Sequence, residues 1–167
     1  TIAIDDNGMN SIIVVPGASS GLTKNMIDEK LNLFKNSSIC LTGFEIPLDV
    51  ASYSLKLAKS KGLKTILNPA PYFPIKSEIY KMVDYLTPNE HEASQLTHIQ
   101  ITDINSAKEA GKRICELGVG FSIITLGEKG VLINRDKNDP GTHIEAHRLE
   151  EKVVSTVGAG DVFNGAF

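Results

Sequence analysis

Gly62-Leu63-Lys64-Thr65-Ile66-Leu67-Asn68-Pro69-Ala70-Pro71 is where the fold of this chain can be read. Gly62 is a stop signal for a helix that begins after Pro47 and runs through Lys61. Lys64 to Leu67 is a short apolar run of strand length, and Pro69, Pro71 and Pro74 then remove backbone donors and force a loop. The unit is therefore helix, strand, loop. Outward in both directions the unit recurs: a strand over Ser38 to Thr42, a short helix around Ile75 to Met82, a strand near Val83 to Leu86, and a helix over Asn89 to Leu96. Asp103 then caps a longer helix with Ile104, Ala107, Ala110, Ile114 and Leu117 on one face, followed by a strand over Phe121 to Leu126. Strands alternating with helices predict an α/β fold, a mainly parallel sheet with helices on both faces. Ligands of such sheets gather at the carboxyl ends of the strands. Toward the ends, Asn10 to Val15 reads as a buried apolar strand, Thr23 to Lys35 as a helix carrying Ile27, Leu31 and Phe34, and Gly130 to Asn134 with Thr142 to Arg148 as a hairpin.

The 167 residues suit one domain with a substantial core. A net charge of −3 with scattered lysines argues against nucleic-acid binding, and no apolar run reaches membrane-spanning length. Cys40 and Cys115 lie far apart in apolar surroundings without metal-ligand spacing. They read as reduced core residues of a cytoplasmic protein.

The closing stretch Ser155-Thr156-Val157-Gly158-Ala159-Gly160-Asp161-Val162-Phe163-Asn164-Gly165-Ala166-Phe167 sets a glycine-rich turn and a carboxylate against the start of an apolar helix. A helix start offers unpaired N–H groups and a partial positive charge, and small residues at Gly158, Ala159 and Gly160 let an anion approach the backbone. Asp161 beside that anion is placed to accept a proton from a hydroxyl next to a phosphoryl group. A glycine turn that merely caps a buried helix is the other reading. Thr87-Pro88-Asn89-Glu90-His91-Glu92 puts Asn89 and Glu92 on one face of a helix start, where an amide and a carboxylate can serve phosphate oxygens and hydrated magnesium, or simply cap the helix; His91 reads as surface. Thr125-Leu126-Gly127-Glu128-Lys129-Gly130 is a tight turn after a strand.

Gly17-Ala18-Ser19-Ser20-Gly21 fits a serine-hydrolase nucleophile elbow, with His143 or His147 downstream as base. Against it, Pro16 interrupts the junction and both histidines fall in the predicted hairpin. No Walker A loop is present in the sequence.

Four segments together, Thr42-Gly43-Phe44-Glu45-Ile46-Pro47, Asn68-Pro69-Ala70-Pro71 with Thr87-Pro88-Asn89-Glu90-His91-Glu92-Ala93, the Thr125 to Gly130 turn, and Ser155 to Phe167, resemble the ribokinase (PfkB) family of carbohydrate and nucleoside kinases, in the family's order. The resemblance implies a ribokinase-like fold and transfer of the γ-phosphoryl of ATP to a primary hydroxyl of a small sugar, first of all ribose. It implies Asp161 as base and sugar contact and Gly158, Ala159 and Gly160 as anion hole. It further implies Glu45 as acceptor for sugar hydroxyls, Asn89, Thr125, Gly127, Gly130 and Gly160 at the nucleotide, and Glu92 at Mg2+ through water. Ser155 and Val157 fall where the family holds a monovalent cation, K+. Ser155 replaces the family's aspartate, and a hydroxyl brings no full charge. Fructose and nucleosides are alternative acceptors, and a nucleotide- or sugar-binding module without catalysis is the alternative outside enzymes. For the full-length protein the resemblance implies a homodimer with ATP and sugar as its small-molecule partners. It also marks residues 1–167 as a partial kinase domain without the amino-terminal sugar-site portion and the carboxyl end, so the isolated chain is expected to bind sugar poorly and turn over little.

Overall fold

In the computed structural model, which describes residues 1–4, 10–148 and 153–167, the chain runs β1 (Ile2–Ile4), β2 (Asn10–Ile12), α1 (Lys24–Asp28), α2 (Leu31–Lys35), β3 (Ile39–Thr42), α3 (Leu48–Ser60), β4 (Lys64–Leu67), α4 (Ser77–Tyr80), β5 (Tyr85–Leu86), α5 (Glu90–Thr97), α6 (Ile104–Glu116), β6 (Phe121–Thr125), β7 (Val131–Asn134), β8 (Thr142–Ile144) and α7 (Ala159–Ala166). The main sheet has the order β3-β4-β5-β6-β7-β8. Its first four strands are parallel, and β7 and β8 return antiparallel. The fold is the mainly parallel α/β sheet that the alternation predicts.

Strand alternation divides the sheet into two faces. Leu67, Leu86, Ile124 and Leu132 point to the face covered by α3, α5 and α6, where Ala51, Leu55, Ala93, Leu96, Ala107, Ala110 and Ile114 complete the core. Tyr85 and Phe121 pair on the opposite face with ring centroids 5.0 Å apart, and there Tyr85 meets Phe167, just past α7, at 5.3 Å. Helix α6 shows why the sequence takes this form. Its buried residues Ala107, Ala110, Gly111, Ile114 and Cys115 recur at helical spacing, and Asp103 caps it by accepting from Ser106 N at 2.8 Å. Gly111 has a specific reason to be glycine: any Cβ there would strike the Oδ1 of Asn134, which is fully buried on β7.

Three expectations are corrected. Asn10 to Val15 is not a buried strand. Only Asn10–Ile12 is extended in pairing, its partner is β1 in a separate two-stranded ribbon, and exposure rises from 54% at Ile12 to 84% at Val15. A two-stranded ribbon has no second layer to bury its side chains, so apolar composition alone misplaces it. Thr23 to Lys35 is not one helix but α1 and α2, broken at Glu29 and Lys30; neither piece buries a residue, so no packing holds one continuous helix together. The hairpin strand expected over Thr142 to Arg148 ends at Ile144. Cys115 is buried and its thiol is pushed up to about 11 by that burial, while Cys40, half-buried on the outer strand β3, is shifted upward for the same reason. Among the described residues, no helix is long and apolar enough to cross a membrane.

Candidate functional site

The site is built at the carboxyl ends of β3 to β6. After β5, Pro88 delivers the chain in an extended conformation to Asn89 (φ −81°, ψ 177°), the N-cap of α5. Asn89 Oδ1 accepts from Glu92 N at 2.8 Å, and the Asn89 N–H donates back to Glu92 Oε2 at 2.9 Å. The two residues thus form a reciprocal capping box, the capping alternative raised by their spacing. Asn89 Nδ2 and Glu92 Oε1 make no hydrogen bond among the described residues. Glu92 is only 7% exposed, and burial pushes its carboxyl up against the opposing pull of the Asn89 N–H. His91 is exposed and contacts Gln95 of its own helix.

The turn after β6 is joined to this helix start. Asn89 and Thr125 form a parallel bridge, and Thr125 N donates to the Pro88 carbonyl at 3.0 Å. Gly127 to Gly130 closes on itself through Leu126 N to Gly130 O at 2.8 Å and Gly130 N to Gly127 O at 3.0 Å. Gly130 has φ +95°, and a Cβ there would run into the Ile144 carbonyl, so both conformation and space demand glycine. Lys129 Nζ lies 3.2 Å from Glu90 Oε1 and ties the turn to α5. Asn89 and the Thr125 to Gly130 turn, remote from each other in sequence, therefore belong to one surface.

The start of α7 is made differently. Gly158 is its N-cap at φ +78°, ψ 0°, a conformation that favours glycine, and it supplies no side-chain cap. Ala159 N donates to Thr156 O at 3.2 Å and Val162 N to Gly158 O at 2.9 Å. The N–H groups of Gly160 and Asp161 donate to no backbone carbonyl among the described residues. Asp161 is exposed in this first turn. It lines a 390 Å³ cavity with Glu45, Leu41, Gly43, Asn68 and Asn164, so the structure brings the expected base and the expected sugar-binding glutamate to one opening. Gly43 lines that opening closely, and a Cβ there would lie 3.1 Å from the Asn68 carbonyl.

Asn164 is missed by sequence reasoning, which sees only an apolar stub at Val162, Phe163 and Phe167. It is the buried residue of α7, bonded to Thr87 and to Gly160. The one available signal is an amide three residues after Asp161 on an otherwise apolar helix. Ser155 Oγ accepts from Val157 N at 3.2 Å, and both residues are exposed. The hydrolase alternative loses its geometry: Ser19 stands in an exposed 3-10 turn over Gly17–Gly21 after the ribbon, not between a sheet strand and a helix, and His143 Nε2 is engaged with the Lys129 carbonyl at 2.6 Å.

The model of the pfkB family of carbohydrate kinases matches residues 1–167. The chain is 36% identical over 165 residues to the bifunctional ribokinase/ribose-5-phosphate isomerase A of Fructilactobacillus sanfranciscensis, covering 99% of this chain and 30% of that protein. It is 32% identical over 169 residues to the ribokinase of Haemophilus influenzae, covering 99% of this chain and 53% of that one. The structure of Arabidopsis thaliana ribokinase complexed with ribose and ATP superposes with a TM-score of 0.86 at 30% identity, over 99% of this chain and 53% of that chain. The chain spans about half the length of the ribokinases it matches, and less of the bifunctional one. A family match from Thr1 to Phe167 and relatives above 30% identity along nearly the whole chain lead to one conclusion: this chain belongs to the pfkB family of carbohydrate kinases.

Proposed function

We propose that this chain carries the phosphoryl-transfer half of an ATP-dependent sugar kinase, with the primary hydroxyl of a pentose, ribose before others, as acceptor. The observation that carries the reading is the cavity shared by Glu45 and Asp161 beside the uncapped start of α7. In this reading Glu45 accepts hydrogen bonds from sugar hydroxyls and aims the primary hydroxyl at Asp161. The Asp161 carboxylate takes the hydroxyl proton as the sugar oxygen bonds to the γ-phosphorus, the bond from that phosphorus to the β,γ-bridging oxygen breaks, and ADP departs. A loose transition state asks little of the base until late in the transfer. The N–H groups of Gly158 and Gly160, with that of Asp161, stabilise charge on the equatorial oxygens; that of Ala159 is already taken by the Thr156 carbonyl. Asn89 Nδ2, Thr125 and the Gly127 to Gly130 turn receive the nucleotide.

For Mg2+ the donor set fits. The described residues contain no cluster of three or more carboxylates, histidines or cysteines, and Mg2+ favours one or two carboxylates, water and substrate phosphates over an all-protein cage. Glu92 would hold it through water, and the ion would neutralise the β- and γ-phosphates. For K+ the donors fit poorly. Ser155 and Val157 bring no carboxylate, and the Ser155 hydroxyl already takes a backbone N–H; no step is assigned to that ion. In this reading the completed protein is a cytoplasmic homodimer, as the family resemblance implies.

The test is a coupled ATP and ribose assay on the 167-residue chain alone and on the chain completed with the flanking portions of a ribokinase relative. The isolated chain is expected to turn over little, and the completed chain to phosphorylate ribose and lose that activity with Asp161→Asn. Robust turnover by the isolated chain would refute its expected incompetence. Binding of an ATP analogue without turnover, even in the completed chain, would favour the non-catalytic module instead.

A further inference from the structure

Asn164 is 9% exposed, and the reaction as described above does not use it. Its amide makes two hydrogen bonds of opposite sense. Nδ2 donates to the Gly160 carbonyl at 2.9 Å, one turn earlier in α7, and Oδ1 accepts from Thr87 Oγ1 at 2.7 Å, across 77 residues of sequence. A carbonyl can only accept, so Gly160 fixes which way the amide faces, and Thr87 must then donate. Thr87 is 2% exposed, and its own carbonyl accepts from Asn68 Nδ2 at 2.8 Å. A continuous polar chain thus runs from the ends of β4 and β5 to the first turn of α7.

Apolar contact at that helix is partial: Val162 is 73% exposed and Phe167 is 50% exposed, the Phe167 ring meets Tyr85 and Phe163, and Asn164 is the buried residue of α7. Apolar contact is tolerant of small slides, whereas a buried hydrogen bond between specific atoms sets direction and register. Thr87 also opens the segment that continues through Pro88 to Asn89 and Glu92. One hydroxyl is therefore anchored to both halves of the proposed phosphate machinery.

We propose that Asn164 is a positioning residue for phosphoryl transfer: by bridging Thr87 Oγ1 to the Gly160 carbonyl, it sets Asp161 and the open N–H groups of α7 in register with the Asn89 to Glu92 helix start. The inference rests on the kinase reading. Asn164 acts through Asp161 and the backbone, so its loss affects alignment more than binding. In the completed chain, Asn164→Leu and Thr87→Val are each expected to lower kcat about 10- to 100-fold, the scale on which small misplacements act. KM for ATP and for sugar should stay within about threefold. The double variant should be no worse than the worse single one, because both remove the same bridge. Thr87→Ser keeps the hydroxyl and should keep kcat. Hydrogen exchange on the 167-residue chain gives a readout independent of activity: amides 160–167 should exchange faster in Asn164→Leu and Thr87→Val, not in Thr87→Ser, while those of α6 stay protected in all three. Unchanged kcat in Asn164→Leu, a loss carried by KM, multiplying losses in the double variant, or unchanged exchange at 160–167 would each overturn the proposal. If the unsubstituted completed chain phosphorylates no sugar, the kinase reading fails by itself, and the exchange result alone decides whether the bridge sets α7.

Discussion

Two helices, α5 and α7, start beside the same proposed site with an acidic residue in the first turn, and they are capped in different ways. At α5 the chain closes its own start: Asn89 and Glu92 exchange side-chain hydrogen bonds, and Ala93 and Leu96 bury the helix against the core. At α7 the cap is a glycine without a side chain, the Gly160 and Asp161 N–H groups find no backbone acceptor among the described residues, and the buried residue is an amide. The difference separates a helix held by its own sequence from one whose start is left for something else to complete. An anion suits that start, because small residues and aligned N–H groups admit it closely.

The largest test of this contrast is chemical. Asp161→Asn keeps size and removes the base, and phosphoryl transfer by the completed chain should fall about 10²- to 10⁴-fold with KM for ATP little changed. A smaller loss would reduce Asp161 to a cap. Packing gives the next largest effect. Leu96→Ala in α5 should cost about 2–5 kcal/mol in urea unfolding, whereas Val162→Ala in α7 should lie within about 0.5 kcal/mol of the parent. Equal costs would erase the distinction between the two helices. Asn89→Ala removes the α5 cap and should cost about 1 kcal/mol, and it should also weaken binding of an ATP analogue by calorimetry. A stability loss with unchanged nucleotide affinity would leave Asn89 a cap alone.

The smallest effect concerns pH. Burial raises the folded-state pKa of Glu92, so its protonated form is favoured by folding. Its contribution to stability is therefore fully present below the unfolded value of about 4.3 and is lost as pH rises through the folded value. Glu92→Gln retains a capping acceptor without the charge. Relative to it, the parent should gain stability as the pH of the unfolding measurement is lowered from 7 to 4. A difference that stays flat with pH would show that the Glu92 charge is not penalised by burial.

The sequence made the centre of the molecule legible because several signals agreed there. Between Ser38 and Leu126, Gly62, the prolines after Leu67 and the Asp103 cap bound each element, and each strand lies near where its apolar run predicts. Agreement failed where only one signal existed. Ile12 to Val15 is as apolar as a core strand, but whether a second layer covers it is a tertiary fact absent from composition. Of the proposed site, Asp161 with the Gly158 to Gly160 turn, and Asn89 with Glu92, were raised by residue types and spacing, whereas Glu45 and the Thr125 to Gly130 turn were singled out only by the family resemblance. How they meet was not legible. The Asn89 and Thr125 bridge and the Thr87 to Asn164 hydrogen bond join residues remote in sequence, and Asn164 was hidden among apolar neighbours. Asn89 and Glu92 teach a further point: capping uses Oδ1 and Oε2 and leaves Nδ2 and Oε1 without a hydrogen bond among the described residues, so the proposed phosphate service does not compete with it.

The claim at the centre is that α5 carries its own side-chain cap while α7, capped by a glycine, is open to an anion at Gly160 and Asp161, and amide NMR on the completed chain titrated with a non-hydrolysable ATP analogue, Mg2+ and ribose tests it most directly. The backbone amides of Gly160 and Asp161 should shift strongly together with the Asn89 side-chain amide, while those of Glu92 and Ala159, already bonded within the chain, move little. Shifts at Glu92 and Ala159 with silent Gly160 and Asp161 would contradict the account.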